Sequence, residues 1–223
     1  VRTIPDNNMD FATASTLPIA LATMHNAIVT IGNFSKGQTI LIQGASSGVG
    51  LMGLQIAKHL GANRVIGTST KPEKFDKWKS IGADLVVNSK DKDWVDHVLQ
   101  ATNDEGVDLI IDQLSGYTIN ENMRASKVKG TIVNVGRLAG GNTEFNCDLH
   151  ALRRINYRGV TFRTRSINEI REVYSKMWAD LGDLVITGKL SLPIDKIFEF
   201  NDVSDALSCM RQNQHFGKLI LKV

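Results

Sequence analysis

Long apolar runs are missing from this sequence. Its apolar stretches, such as Ile40 to Ile42 and Leu109 to Ile111, have the length of strands, far short of the roughly 20 apolar residues that a membrane-spanning helix requires. No basic segment followed by an apolar one opens the chain, so neither a membrane nor a signal peptide is expected, and a cytoplasmic location is the default. Cysteine is nearly absent. Cys147 and Cys209 stand alone, outside any Cys-x-x-Cys pattern, which excludes a disulfide framework and leaves two expected free thiols. Cys147 lies three residues before His150, but a zinc site takes about three or four ligands and no second pair accompanies this one, so no metal is expected. Aromatic residues make up 6% and form no recognition motif, so the six arginines from Arg153 to Arg171 are read as lying at element ends. Nucleic acid is not an expected partner.

What is present is enough hydrophobic residue, 42% of 223, to fill one large domain or one domain and part of a second. From residue 39 onward short β-branched runs alternate with segments of helical period, the pattern of a parallel sheet covered by helices, so the fold class is α/β. The expected strands are Thr39 to Gln43, Arg64 to Thr68, Leu85 to Val87, Leu109 to Asp112, Thr131 to Val135 and Gly159 to Phe162. Val49, Met52, Gly53, Ile56, Ala57 and Leu60 trace one face of a helix closed by Gly61. A second helix is expected from Pro72 to Ile81, and a long amphipathic one from Ile167 to Leu181, closed by Gly182. Residues 189–223 change rhythm, with strands near Ile197 to Phe200 and Leu219 to Val223 around a helix from Val203 to Met210. The expected organisation is a doubly wound six-stranded domain over 1–188 and a returning segment of another domain over 189–223.

The informative stretch is Ile40 to Leu60, where a strand runs through Gly44-Ala45-Ser46-Ser47-Gly48-Val49-Gly50 directly into the first helix. Unpaired N–H groups and the positive end of the helix dipole make such a junction a phosphate cradle. The strict G-x-G-x-x-G pattern fails, because Ala45 and Ser47 occupy the first two glycine positions when Gly50 is the last. The flanking strand and helix supply the context the motif demands. No lysine follows the turn, which excludes a P-loop. Ser69 stands 19 residues after Gly50, where NAD-binding domains carry an acid for the ribose 2′-hydroxyl. Here Thr68-Ser69-Thr70-Lys71-Pro72-Glu73-Lys74 offers hydroxyls and ammonium groups instead, which suit a 2′-phosphate, so NADPH is the expected cofactor. The plain alternative is a capped helix start with solvent-facing lysines.

These residues resemble the zinc-independent quinone oxidoreductases, the ζ-crystallin-like branch of the medium-chain dehydrogenase/reductase superfamily, with a Rossmann fold. The matching blocks are Leu17-Pro18 through Thr23, Lys36-Gly37, Leu41 to Gly50, Gly67-Thr68-Ser69 with Lys74, Gly82-Ala83-Asp84, Gly106 to Asp112, Gly130 to Gly136, and Phe216-Gly217-Lys218 to Val223. The resemblance assigns Thr23 to the nicotinamide, Ser46, Ser47, Gly48 and Val49 to the pyrophosphate, and Ser69, with Thr70 beside it, and Lys74 to the adenosine 2′-phosphate. It places Gln113, Leu114, Gly136, Arg137 and Leu138 on the loops lining the crevice. Where zinc alcohol dehydrogenases of that superfamily have a catalytic cysteine, four residues before Thr23, this sequence has Ile19, so the resemblance implies no catalytic zinc. It also implies an N-terminal GroES-like barrel, absent from this sequence. The chain is therefore expected to be a fragment or a shortened form, with its last segment a remnant of that barrel. A homodimer paired through Gly159 to Phe162 is a further implication.

The implied activity is hydride transfer from NADPH to a quinone or an α,β-unsaturated carbonyl, with no side chain named as catalytic. A zinc-free alcohol dehydrogenase-like or enoyl reductase activity, and a non-catalytic NADPH-binding or structural role, stand as alternatives. Short-chain dehydrogenases share the glycine turn but require Tyr-x-x-x-Lys. Tyr117, Tyr157 and Tyr174 are followed four residues on by Glu121, Thr161 and Trp178, which excludes them.

Overall fold

A computed structural model describes residues 9–70, 75–212 and 215–223. Six parallel strands form the main sheet: β1 (Thr39–Ile42), β2 (Arg64–Ser69), β3 (Leu85–Asn88), β4 (Val107–Asp112), β5 (Ser126–Asn134) and β6 (Asn156–Gly159), in the order β3-β2-β1-β4-β5-β6. The order reverses between β1 and β4, which opens a crevice at their carboxyl ends, the place where doubly wound sheets take ligands. The helices are α1 (Phe11–His25), α2 (Gly48–His59), α3 (Phe75–Lys79), α4 (Trp94–Ala101), α5 (Ile119–Ala125), α6 (Cys147–Arg153), α7 (Ile167–Ile186) and α8 (Val203–Arg211).

Both faces of the sheet are buried, which explains the unbroken apolar runs of its strands. Ile40 and Ile42 of β1 pack with Met24, Leu51, Ile56 and Leu181 in one cluster, while Leu41 between them joins Ile66, Val95, Ile110 and Met123 in the other. Helix α1 was not apparent from periodicity. Together with the π-helical turn that follows, it gives a stretch over Phe11–Ile31 of mean hydropathy 1.3, long and apolar enough to cross a membrane by length and composition. This corrects the expectation of strand-length runs only. Thr and His residues interrupt the stretch, so no continuous run is visible, and in the fold 56% of it is buried, with Leu17, Leu21, Met24 and Ile28 set in the core.

Three boundaries also differ from expectation, the first being β5, which begins at Ser126 rather than Thr131. The edge strand is Asn156–Gly159 rather than Gly159 to Phe162. Its residues are only lightly buried, so hydrophobicity does not mark it; parallel pairing of Tyr157 and Arg158 with Ile132 and Val133 does. Helix α7 continues through Gly182 to Ile186, because Leu181 and Val185 are both buried in the core and keep the helix running; an interior glycine costs only about 1 kcal/mol against alanine. The described part of the expected Pro72 helix is α3, and its start lies outside the described residues.

At the start of α7, Ser166 and Glu169 form a capping box: Ser166 Oγ accepts from the Glu169 N–H at 3.3 Å and Glu169 Oε2 accepts from the Ser166 N–H at 2.7 Å. Loss of such a cap costs about 1 kcal/mol. Ser166→Ala is expected to lower Tm by about 2–4 °C for a chain of this size; an unchanged thermal melt would show that α7 is held by its packing alone.

Residues 194–222 form a smaller unit in which β7 (Ile194–Glu199) and β8 (Lys218–Lys222) pair in parallel, with α8 between them in sequence. It is tied to the main domain at the glycine turn by a parallel bridge between Ser47 and Gly217. Gln55 holds the segment that leads into this unit, its side chain donating to Ser191 O at 2.8 Å and accepting from Ser191 N at 3.2 Å.

Candidate functional site

The glycine turn lies at the carboxyl end of β1, against the switch point. Its shape follows from two glycines. Gly44 has φ +69°, a left-handed conformation that disfavours a side chain. A Cβ on Gly50 would come 2.7 Å from both Ala45 Cα and Gly44 O, so the first turn of α2 lies directly on the backbone that enters it. Ser47 caps the helix, its Oγ accepting from the Gly50 N–H at 3.0 Å.

Most N–H groups of the turn are engaged within the protein. Gly44 N–H donates to Thr68 Oγ1 at 3.1 Å, and Ala45, Ser47 and Leu51 N–H donate to Thr68 O, Gly44 O and Ser47 O. Among the described residues, those of Ser46 and Val49 have no protein acceptor, while the Gly48 N–H lies at the parallel bridge that joins Ser47 to Gly217. Open donors at a helix N-terminus are what a pyrophosphate needs, and these two belong to residues assigned to it by resemblance. The turn fits the phosphate end of a dinucleotide.

The side chain of Gln113 braces the turn from the β4 side. Its Nε2 donates to Gln43 O at 3.0 Å and Gly44 O at 3.3 Å, and its Oε1 lies 3.1 Å from Ser47 Oγ. The carboxamides and hydroxyls of Gln113 and Ser47 are thus occupied inside the protein. Leu114, Gly136, Arg137 and Leu138 lie where the loops after β4 and β5 are laced together, with Leu138 N–H donating to Gln113 O and Ala139 N–H to Leu114 O. A Cβ on Gly136 would come 2.5 Å from Gln113 O, so only glycine allows this approach. Arg137 and Leu138 point outward and are exposed, Leu138 at 73%.

At the end of β2, Ser69 is buried and Thr70 exposed, and no carboxylate occupies either position. Lys74 lies outside the described residues. Thr23 sits half-buried on α1, beside Met24, which packs on Gly53 of α2. No hydrogen bond joins its side chain to the turn among the described residues.

Several residues of the site gave no signal in the sequence. Ser115, just after β4, has φ +55° and ψ −148°, a glycine-type conformation costing about 1–3 kcal/mol. It is held by three bonds: its N–H donates to Asp112 Oδ1, its Oγ donates to Gly136 O, and Asn134 Nδ2 donates to its Oγ. Asn134 Nδ2 also reaches Tyr157 Oη at 2.9 Å, and burial pushes the Tyr157 phenol above its usual pKa. Asp112 is fully buried beneath this loop. Burial raises its carboxyl pKa, against the downward pull of the Ser115 and Leu114 N–H groups and the Asn122 amide.

Cys147 and His150 share the exposed helix α6 with no third ligand, and no three His, Cys, Asp or Glu side chains converge among the described residues. A hollow of about 550 Å³ lies by Lys58 and His59 at the far end of α2 from the turn.

Residues 48–181 match the model of a protein family described as zinc-binding dehydrogenases. The described side chains offer no donor set for that metal. The highly reducing polyketide synthase apmlA of Arthrinium phaeospermum is 30% identical over 98% of this chain and 9% of its own length. The chain therefore spans less than a tenth of that relative. Among solved structures, the CurK enoyl reductase is 25% identical with a TM-score of 0.84, covering 99% of this chain and 65% of its own. A quinone oxidoreductase from Pseudomonas syringae pv. Tomato DC3000 has the same fold, with a TM-score of 0.86 at 23% identity, covering 100% of this chain and 67% of its own.

Proposed function

The chain belongs to the zinc-binding dehydrogenase family, and from that premise we propose that it is the NADPH-binding part of an oxidoreductase that reduces a double bond conjugated to a carbonyl, in a quinone or an enone. The observation that carries the proposal is the glycine turn, with open N–H donors at Ser46 and Val49 and no carboxylate at Ser69 or Thr70 where a 2′-phosphate would sit. The chemistry NADPH supplies when bound is transfer of a hydride to the electron-poor carbon of the acceptor.

The chain's own residues have three tasks. The N–H groups of Ser46 and Val49 hold the pyrophosphate, with Ser47 and Gly48 shaping the turn between them, while Ser69, Thr70 and Lys74 take the 2′-phosphate. The loops carrying Leu114, Gly136, Arg137 and Leu138 line the crevice where the nicotinamide and acceptor meet, with Thr23 on its other side. Arg137 is exposed on this loop.

An enoyl acceptor is favoured over a quinone by two relatives, a highly reducing polyketide synthase and an enoyl reductase. The test is the rate of NADPH oxidation by the full-length protein with an enoyl thioester and, separately, with a quinone. Turnover of either supports the proposal, and faster turnover of the thioester supports the enoyl reading. NADPH bound with neither acceptor reduced would leave a nucleotide-binding protein without this activity. We also propose that two copies pair through the free edge of β6.

A further inference from the structure

Three fully buried polar side chains, Thr68, Gln43 and Asn122, run in file from the glycine turn toward the floor of the crevice. We propose that this file is a positioning relay, through which Asn122 holds the phosphate-binding turn in its receptive shape. The inference rests on the NADPH reading above and extends it to residues that touch no cofactor.

The file has one direction. Gly44 N–H, which can only donate, gives its proton to Thr68 Oγ1 at 3.1 Å. Thr68 must then donate onward, and does so to Gln43 Oε1 at 2.6 Å. Gln43 Nε2 in turn donates to Asn122 Oδ1 at 2.6 Å. Among the described residues, Asn122 Nδ2 and Asp112 Oδ2 are both buried with no hydrogen-bond partner, so the hydrogen-bonded file ends at Asn122. The obligate donor at its start sets the orientation of both amides along it, and aligned bonds polarise one another.

The position of the file gives it a task. It begins on β2 beside Ser69, passes the carboxyl end of β1 at Gln43 and reaches α5 at Asn122, so it fastens two neighbouring strands of the sheet to that helix. Asp112 Oδ1 meanwhile accepts from the Leu114 and Ser115 N–H groups, at 2.9 Å each. That carboxyl thus organises the β4 loop. Drawing the Gly44 N–H inward to Thr68, with Ala45 N–H to Thr68 O, leaves the donors of Ser46 and Val49 for the ligand. Burying three polar side chains in a sheet core is costly unless each is paired, and apolar residues would fill the same space without that cost.

The test is a double-mutant cycle on ligand affinity, read by isothermal titration of the full chain, with thermal melts to check folding. The variants are Asn122→Leu, Thr68→Val and the pair, titrated with NADPH and with adenosine 2′-monophosphate, which reaches the 2′-phosphate site but not the turn. Each single variant is expected to weaken NADPH about tenfold, the effect of one buried hydrogen bond, and the double variant no further, because both cut one relay. Asn122→Leu should leave adenosine 2′-monophosphate affinity unchanged, and Thr68→Ser, which keeps the hydroxyl, should restore NADPH binding. Losses that multiply to about a hundredfold in the double variant, equal losses for both ligands, or no loss at all would overturn the relay. If Asn122→Leu fails to fold, the contrast of Thr68→Val with Thr68→Ser decides alone. A wild-type chain that binds neither ligand would overturn the NADPH reading itself, a result separate from normal wild-type binding with unaffected variants.

Discussion

Gly50→Ala is expected to abolish dinucleotide binding, with affinity for NADPH falling on the order of a hundredfold or more, as displacements of about 1 Å in a positioned site do. The added Cβ would sit 2.7 Å from Ala45 Cα and Gly44 O and 2.9 Å from Ala45 C. All three are backbone atoms, so no side chain can swing aside. The start of α2 must lift away from the turn, which pulls the Gly50 N–H from Ser47 Oγ and misaligns the open donors at Ser46 and Val49. Overpacking of this kind also destabilises a fold by about 1–3 kcal/mol, so Tm should fall as well. Titration with NADPH and a thermal melt check both effects, and retained affinity would mean that the turn does not hold the phosphates.

Ser69→Asp is expected to reverse cofactor preference. The side chain ends β2, where an acid pairs with a ribose 2′-hydroxyl and repels a 2′-phosphate. Like charges brought together cost several kcal/mol, so NADPH affinity should fall about a hundredfold while NADH affinity holds or improves. Parallel titrations of the variant with the two nucleotides measure the ratio. An unchanged ratio would remove the basis for placing the 2′-phosphate at Ser69, Thr70 and Lys74.

The fold was largely legible because its central strands are buried on both faces and announce themselves as apolar runs: Ile40 to Ile42 and Leu109 to Ile111 both lie in the inner strands. Where burial is shallow the signal fails. The edge strand at Asn156–Gly159 has almost no buried side chain and shifted by three residues, and α1 mixes Thr, Ala and His with its apolar positions, so its face carries no clear period. The glycine turn was legible because it is local in sequence, with strand, turn and helix following one another. The bracing of that turn was not. Gln113 reaches it from 69 residues away and Thr68 from 24, and the left-handed backbone of Ser115 has no residue signature, since nothing in a serine foretells a glycine's conformation. Sequence thus located the cradle and left unseen what holds it in shape.

The most direct test of the account is isothermal titration of the purified chain with NADPH and, separately, with NADH. The account predicts micromolar binding of NADPH and much weaker binding of NADH; equal affinity for both, or no heat with either, would contradict it.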